Sequence, residues 1–377
     1  MFFSDLQTDF GYFQSTSNIQ IVSEYILSKP ELSNKKSGGY FNLQNEFNHS
    51  LSEKYFAEVN LELFIFEQDK NYPRPDFVKD RNTNYYLKLN KAFISLVPDF
   101  NQTLSFQFGK NNFEFSTALL TSPGNPSMAG ISLVSPFKQI EGIYLSEIKY
   151  IPNNYLSYHM GVSYGKTSTE DSILHPFVRM SFHNNKFDIW NIFSENFIGL
   201  GLNWQIIDSC LFYYEGNIHF SRFDYDAKRD FILGNRMALN LFQFPFNFTS
   251  EFYYNSEENF GVIENINSIN SKVRDQVYYF PSPESLKETY WGASSFLSRE
   301  LLFFDIRLSD EKQGPFFMFL YSLNDRSYMS VVGMSFSYKN FINGQIEWRH
   351  FDGDNHSEFK YVSYYKGKDQ IWFTIKI

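Results

Sequence analysis

The sequence lacks long apolar runs, and almost no stretch repeats apolar residues at helical spacing. A membrane-spanning helix needs about 20 mainly apolar residues, so helical spans are excluded. The chain has one cysteine, Cys210, so no intrachain disulfide can form. Cys210 lies in a strand-like segment with no base beside it, and we interpret it as a packed small residue.

Signatures of nucleotide and metal chemistry are incomplete. Gly165–Thr167 resembles the end of a phosphate loop, but Met160 stands where the first glycine is required. Asp352–Asn355 resembles the start of a calcium loop without its distal glutamate, so a tight polar turn is the better interpretation. The seven histidines show no metal-binding spacing. We therefore expect no cofactor and no metal site.

Features of nucleic-acid binding and catalysis are also missing. The net charge of -9 argues against a nucleic-acid footprint. His159 or His350 could serve as the base of a hydrolase, but no serine is paired with either in the sequence. Carboxylate pairs are abundant but not informatively spaced. We predict that the protein is not an enzyme.

Aromatic residues are present in excess, at 20% of the chain, with 44 Phe and 26 Tyr. The lipid-facing band and aromatic girdles of a membrane β-barrel would accommodate them. Alternating segments of about ten residues, the length of a tilted spanning strand, recur along the chain. In one of them Val59, Leu61 and Leu63 alternate with Asn60 and Glu62. The pattern predicts a closed all-β barrel, which satisfies every backbone group in lipid.

About twenty candidate strands can be placed. They lie near 17–28, 39–49, 53–66, 85–97, 103–115, 139–150, 155–165, 174–184, 186–194, 196–206, 209–220, 233–243, 246–255, 289–298, 301–309, 315–323, 327–338, 341–350, 357–365 and 369–377. Because weak candidates merge or fail, we expect about 18 strands, within a range of roughly 16–20, in one antiparallel transmembrane barrel. Residues 1–377 would form this single domain.

Connection lengths give a second test. If the first strand runs outward, the even-numbered connections are short, among them those near Ser50, Pro152–Asn154, Asn324–Arg326 and Asp352–His356. The long connections fall at the other end: 29–38, 67–84, 116–138, 166–172, 222–231 and 255–287. Three outer connections, near Glu195, Asn340 and Gly367, are short exceptions. Short periplasmic turns and long outer loops are typical of outer-membrane barrels.

The segment Leu104–Phe137 begins as a strand and continues as a long irregular loop. Leu104, Phe106 and Phe108 alternate with polar residues, whereas Ser122-Pro-Gly-Asn-Pro126 would not fit inside a regular element. Long structureless loops usually have a function. We predict that this third outer loop, residues 116–138, folds into the pore.

The C-terminal strand, in which Ile371, Phe373, Ile375 and Ile377 alternate with polar or amphipathic residues, resembles that of the outer-membrane porin superfamily. Ile377 departs from the terminal aromatic usual in that group. The run Phe106–Lys110 is similar to the porin pattern of Gly plus Lys or Arg before the constriction loop. The resemblance implies that Lys110 lies at the rim of the constriction and that the following loop narrows the pore. The pore-constriction candidates are Lys110, Phe113, Glu114, Phe115 and Asn125. Phe113 and Phe115 could also belong to an aromatic track that stacks sugars.

Charges of both signs fall at positions expected to face the lumen. They are Glu58, Glu62, Lys88, Arg179, Arg236, Asp305, Arg307, Glu347 and Arg349. Facing rows of opposite charge would set a transverse field and tune selectivity. Alternatively, the charges pair across the wall of a narrow or plugged lumen.

The leading hypothesis is an outer-membrane channel for passive diffusion of small hydrophilic solutes. A narrow or plugged barrel that binds a saccharide, lipid or polymer at the surface is the alternative, and a soluble all-β protein is a third possibility. Outer-membrane lipid and lipopolysaccharide would be its surroundings, and porin resemblance allows a homotrimer or a monomer.

The expected location is the bacterial outer membrane. Met1–Asp5 lacks the basic and apolar regions of a signal peptide, so we expect that a signal peptide has been removed. Otherwise the barrel interpretation is wrong.

Overall fold

The computed structural model describes most of the chain. The described residues are 2–8, 11–27, 37–52, 54–66, 85–98, 103–111, 118–119, 143–167, 170–194, 197–219, 228–241, 244–256, 300–308, 313–338, 342–354, 357, 359–360, 363 and 367–377.

Nineteen strands form the described part of the fold. They are β1 Phe2–Thr8, β2 Gly11–Ile26, β3 Ser37–Ser52, β4 Tyr55–Phe66, β5 Tyr85–Leu96, β6 Leu104–Asn111, β7 Ile143–Asn153, β8 Leu156–Thr167, β9 Glu170–His183, β10 Phe187–Ser194, β11 Phe197–Ile207, β12 Cys210–His219, β13 Lys228–Leu241, β14 Phe244–Asn255, β15 Glu300–Leu308, β16 Gly314–Ser322, β17 Tyr328–Tyr338, β18 Ile342–Asp352 and β19 Asp369–Lys376.

The strands close into a ring. Each strand from β2 to β19 pairs antiparallel with the next, and β19 pairs with β2 through Trp372 opposite Glu24. Strand β1 pairs with the first half of β2, at 11–17, and β19 pairs with the second half, at 20–26. The ring therefore has 18 members, β2–β19, and the predicted all-β antiparallel barrel with about 18 strands is confirmed.

The two faces of the wall differ in chemistry. Residues that point outward are exposed and apolar, such as Ile94 at 59%, Leu174 at 62% and Val332 at 48%. Their neighbours along the strands point inward and are largely polar and buried, such as Arg179 and Asp305. This alternation with a period of two is the pattern of a barrel whose outer surface meets lipid.

Asparagine side chains shape two of the tight turns. The Asn153 Oδ1 accepts hydrogen bonds from the backbone N–H groups of Tyr155, at 2.9 Å, and Leu156, at 3.0 Å. The Asn184 Oδ1 accepts in the same way from Lys186, at 2.7 Å. Such bonds from Asn to the backbone two or three residues on stabilise turns, which explains the short connections β7–β8 and β9–β10.

Two of the predicted strands are not found among the described strands. The strand at 357–365 is wrong, because Phe359, Lys360 and Ser363 have helical backbone and the Ser363 Oγ donates to the Lys360 carbonyl at 2.6 Å. The strand at 289–298 lies outside the described residues. Strand β1 was not predicted, and its residues come before the first predicted strand.

Strand β14 pairs directly with β15. This pairing corrects the prediction of the barrel end at which each connection after β15 lies. Residues 256–299 form one connection, so every later connection moves to the opposite end. The connections 323–327 and 353–368 therefore lie at the long-loop end, not among the short turns as predicted. The connection 339–341 lies at the short-turn end, which removes the Asn340 exception.

Candidate functional site

The barrel interior holds a contact between distant parts of the chain. The Glu215 Oε1 on β12 accepts a hydrogen bond from the backbone N–H of Ala118 at 3.2 Å. The Glu251 Oε1 on β14 accepts one from the next N–H, that of Leu119, at 2.6 Å. Both glutamates are inward-facing and nearly fully buried, with exposures of 1% and 2%. Ala118 and Leu119 are the described residues of the predicted pore loop, and they lie on the inner side of the barrel wall.

The side chains around Glu251 fix its position. The Tyr213 hydroxyl donates to Glu251, and the Arg236 guanidinium carbon lies 5.6 Å from the centre of the Tyr213 ring. Gly234 is opposite Tyr213, and a Cβ there would overlap the ring. The glycine therefore lets the ring lie flat on the wall, where its hydroxyl reaches the carboxylate.

A second inward cluster spans β7–β10. The His159 Nδ1 contacts the Glu147 carboxylate, and the Arg179 guanidinium carbon lies 5.8 Å from the Trp190 ring centre. Trp190 lies against Gly201, where a Cβ would overlap the indole. Trp190 also belongs to a buried apolar cluster with Leu145, Phe177, Ile192 and Phe197. The Arg179 guanidinium on this side therefore lies against the flat ring of Trp190.

On β15 and β18 the inward charges of opposite sign are in contact. The Arg307 Nε lies 2.7 Å from the Asp305 Oδ2, and an Arg349 guanidinium nitrogen lies 2.6 Å from the Glu347 Oε2. The Arg349 guanidinium carbon also lies 4.3 Å from the Trp372 ring centre. These four predicted lumen charges thus form two local ion pairs rather than two separated rows.

An apolar patch covers part of the interior wall towards the long-loop end. Its members face inward on β14–β18 and are at most 1% exposed: Tyr253, Leu301, Phe303, Leu320, Met329 and Phe351. Apolar side chains buried to this degree are withdrawn from water. This sector of the interior is therefore filled by protein atoms.

The wall formed by β2–β4 is different. Its inward side chains are polar and mostly half-buried, and the Lys91 Nζ lies 3.4 Å from the Glu58 Oε1. The Asn48 amide donates to the Glu46 Oε1 at 2.9 Å. Glu62 lies on the same strand as Glu58 and opposite Lys88, but the side chains of Glu62 and Lys88 lie outside those described. Water reaches this wall more readily than the apolar patch.

The predicted constriction residues are only partly described. The Lys110 Nζ donates to the Leu89 carbonyl at 2.8 Å, and Lys110 pairs opposite Tyr144, with the Nζ 5.8 Å from its ring centre. Directly opposed residues share one face of a sheet, so the Lys110 side chain shares the face of the exposed Tyr144. The residues Phe113, Glu114, Phe115 and Asn125 lie outside the described part of the chain. The constriction roles of all five residues stay predictions.

The two residues that hold Ala118 and Leu119 are not among the predicted site residues. Glu215 and Glu251 are lone acids at inward positions of aromatic-rich strands, at Tyr213–Asn217 and Thr249–Tyr253. The sequence does contain a signal for them, because each glutamate occupies a position that alternation assigns to the buried inner face. A carboxylate buried there needs a hydrogen-bonding or charged partner. The partner itself comes from 97 or 132 residues away and could not be found from local pattern.

Among the described residues, no group of three or more His, Cys, Asp or Glu side chains is arranged to hold a metal ion. Within the same residues, no helix is long and apolar enough to cross a membrane.

Solved outer-membrane proteins share this fold. A BenF-like porin from Pseudomonas fluorescens Pf-5 matches with a TM-score of 0.59 at 7% identity, over 96% of this chain and 98% of that chain. Pseudomonas aeruginosa OccK2 (OpdF), solved in complex with glucuronate, gives 0.56 at 9% identity, over 96% and 97%. Escherichia coli Wzi, an outer-membrane protein involved in group 1 capsule assembly and a carbohydrate-binding β-barrel, gives 0.55 at 10% identity, over 95% and 84%.

No family model and no curated protein matches the chain. At such low identities the structural likeness shows the fold alone. The porin-type barrel that the resemblance implied is confirmed at that level. This chain has the closed antiparallel β-barrel fold of porin-type outer-membrane proteins.

Proposed function

We propose that the protein is a bacterial outer-membrane channel through which small hydrophilic solutes diffuse passively. The observation that carries the proposal is the seating of Ala118 and Leu119 on Glu215 and Glu251, inside a closed barrel with a polar inner wall. The exposed apolar outer face suits lipid, and the long connections would face the cell exterior. No chemical step is required of any residue.

The proposal includes a loop that narrows the pore. Strands β6 and β12 are six places apart in the ring, which at about 4.8 Å per place is about 29 Å along the wall. Only six residues lie between Asn111 and Ala118, and the seven residue-to-residue steps reach about 24 Å when fully extended. A path across the lumen is shorter than one around the wall. This supports residues 116–138 as a constriction, with the segment Ser122–Pro126 inside the barrel.

Conductance in planar bilayers tests the channel. The folded, full-length protein should insert and give discrete current steps in KCl, and deletion of Ser122–Gly130 should enlarge each step without unfolding the barrel. Heat-modifiable migration on a gel checks folding in both proteins. A folded protein that passes no ion current would contradict the channel, and unchanged steps after deletion would contradict the constriction.

A narrow or plugged barrel that binds a surface ligand is the second candidate. It is favoured by the interior patch around Leu301, Leu320 and Met329, which is withdrawn from solvent. Wzi, a barrel of the same fold, is a carbohydrate-binding protein. Such a protein should be heat-modifiable but electrically silent, and should retain a saccharide, lipopolysaccharide or polymer in a pull-down.

The same preparation separates a monomer from a homotrimer. Light scattering of the detergent complex, corrected for bound detergent, distinguishes the 44.6 kDa chain from three copies of it. Lipid and lipopolysaccharide would be its immediate partners in the membrane.

A further inference from the structure

We infer that the inner face of β2–β4 is a binding face for neutral, hydroxyl-rich solutes such as saccharides. The inference rests on the channel proposed above and names the class of solute that its wall selects. We refer to this face as the amide wall.

The amide wall is built from side chains that alternate with the apolar outer surface. On β2 and β4, Thr16 and Asn60 are 9% and 4% exposed, whereas the outward-facing Tyr25 and Val59 are 57% and 37% exposed. The register places inward-facing residues of β2, β3 and β4 directly opposite one another. The described members are Gln14, Thr16, Asn18, Gln20, Gln44, Glu46, Asn48, Glu58 and Asn60. Most of them are amides.

The hydrogen-bonding capacity of this face matches hydroxyl groups. Each Asn or Gln side chain carries an NH2 group that donates and a carbonyl oxygen that accepts, and a sugar hydroxyl both donates and accepts. Asn18 lies directly opposite Gln44, so their amides can engage neighbouring hydroxyls of one solute. An apolar or purely ionic wall would not offer this combination.

Of the two glutamates described on the amide wall, one is paired with a cation. Glu58 lies 3.4 Å from Lys91, whereas Glu46 accepts the Asn48 amide at 2.9 Å and keeps its negative charge. An anionic solute would therefore be repelled here, and a neutral one would not. This favours a neutral saccharide over a carboxylate.

The position of the wall exposes it to a passing solute. In the ring of 18 strands, β3 is nine places from β12, which is half the circumference. Ala118 and Leu119 are held on β12 and β14, on the opposite side from the amide wall. The half-buried amides also contrast with the fully buried patch on β14–β18. A solute that passes Ala118 and Leu119 on the side away from β12 and β14 therefore meets β2–β4.

Current block by maltotriose tests the inference. In planar bilayers, we expect maltotriose to reduce the current through the wild-type channel in a saturable manner. The double variant Asn18→Ala/Gln44→Ala should weaken the apparent affinity by about tenfold, since two hydrogen bonds to the solute are lost. The matched control is Asn217→Ala, which removes an inward amide from β12 on the opposite wall and should leave the block unchanged. If the double variant does not fold, the two single variants are measured instead, each with a smaller loss.

The outcomes separate the inference from the channel. If the wild type conducts but maltotriose does not block it, the inference is overturned and the channel stands. The inference is also overturned if maltotriose blocks the Asn18→Ala/Gln44→Ala variant as strongly as the wild type. It is overturned as well if anionic trigalacturonate blocks the wild type more strongly than maltotriose does. A folded wild type without current overturns the channel and this inference with it.

Discussion

At the scale of single residues, Glu251 has the most distinctive environment. Its nearly fully buried carboxylate accepts both the Leu119 N–H and the Tyr213 hydroxyl. A buried carboxylate is costly unless hydrogen bonds satisfy it, and bonds to charged groups contribute about 1.5–3 kcal/mol each. The Glu251 carboxylate is therefore a tether for Leu119, and Glu215 holds the preceding residue, Ala118, through its backbone N–H group.

Substitution Glu251→Ala should release this tether. With a loss of about 1.5–3 kcal/mol, the detached state of the loop should become roughly ten to a hundred times more populated. Single-channel recordings should then show more frequent transitions to a larger conductance. Tyr213→Phe is the control, because it removes only the hydroxyl and leaves the Glu251–Leu119 hydrogen bond. Equal behaviour of the two variants would contradict the tether.

Gly201 permits the close approach of Trp190 to the wall. A Cβ at residue 201 would overlap the indole ring, which is only 4% exposed and has little room to move. Gly201→Ala should therefore destabilise the barrel by about 1–3 kcal/mol, the usual cost of overpacking. Urea unfolding in detergent measures the change.

The double variant Gly201→Ala/Trp190→Leu provides the control for this packing effect. A smaller side chain at residue 190 should relieve the overlap, so the two costs should not add. Additive costs would show that the glycine acts through something other than the indole.

At the scale of structural elements, Phe359 of the connection 353–368 contacts Ser327 of the connection 323–327 at the long-loop end. The Phe359 N–H donates to the Ser327 Oγ at 3.3 Å, and the Phe359 side chain is 1% exposed. The Gly367 N–H donates to the Ser363 carbonyl at 2.8 Å. A buried aromatic side chain thus holds a helical turn in place between β18 and β19.

Phe359→Ala should loosen this connection. Truncation of a buried Phe costs about 3–5 kcal/mol, and here most of it should appear as local opening. Limited proteolysis should cut the variant between β18 and β19 well before the wild type. Lys360→Ala, which removes the partly exposed contact with Asp352 at 3.4 Å, should cost less than about 1 kcal/mol and leave the cleavage rate nearly unchanged. Similar cleavage of both variants would contradict the role of Phe359.

The same connection illustrates how far sequence predicts this fold. Residues that line a two-faced wall repeat with a period of two, so strands such as β4 and β17 could be placed within a few residues. Residues 357–365 also mix apolar and polar side chains, but the Phe359 side chain is buried and its backbone N–H bonds to Ser327 in another connection. The seating of Ala118 on Glu215 depends on closure of the whole ring, which no local pattern encodes. Strand positions were therefore predictable, whereas the contacts inside the barrel were not.

At the scale of the whole molecule, the pairing of charges in the described interior sets the expected ion selectivity. Arg307 contacts Asp305, Arg349 contacts Glu347, and Lys91 contacts Glu58. Paired charges a few ångströms apart nearly cancel at the distance of a passing ion, which solvent screens further. The net charge of -9 is spread over the whole chain and adds only a weak preference for cations. The reversal potential across a KCl gradient should therefore be close to zero.

Arg349→Gln should shift this balance. It leaves the Glu347 carboxylate without its guanidinium partner in the lumen, so the reversal potential should move towards that of a cation-selective pore. The matched variant Glu347→Gln leaves the guanidinium without the carboxylate and should move it in the opposite direction. The double variant restores neutrality and should return to the wild-type value. Strong selectivity in the wild type, or shifts of the same sign in the two single variants, would contradict charge cancellation by this pair.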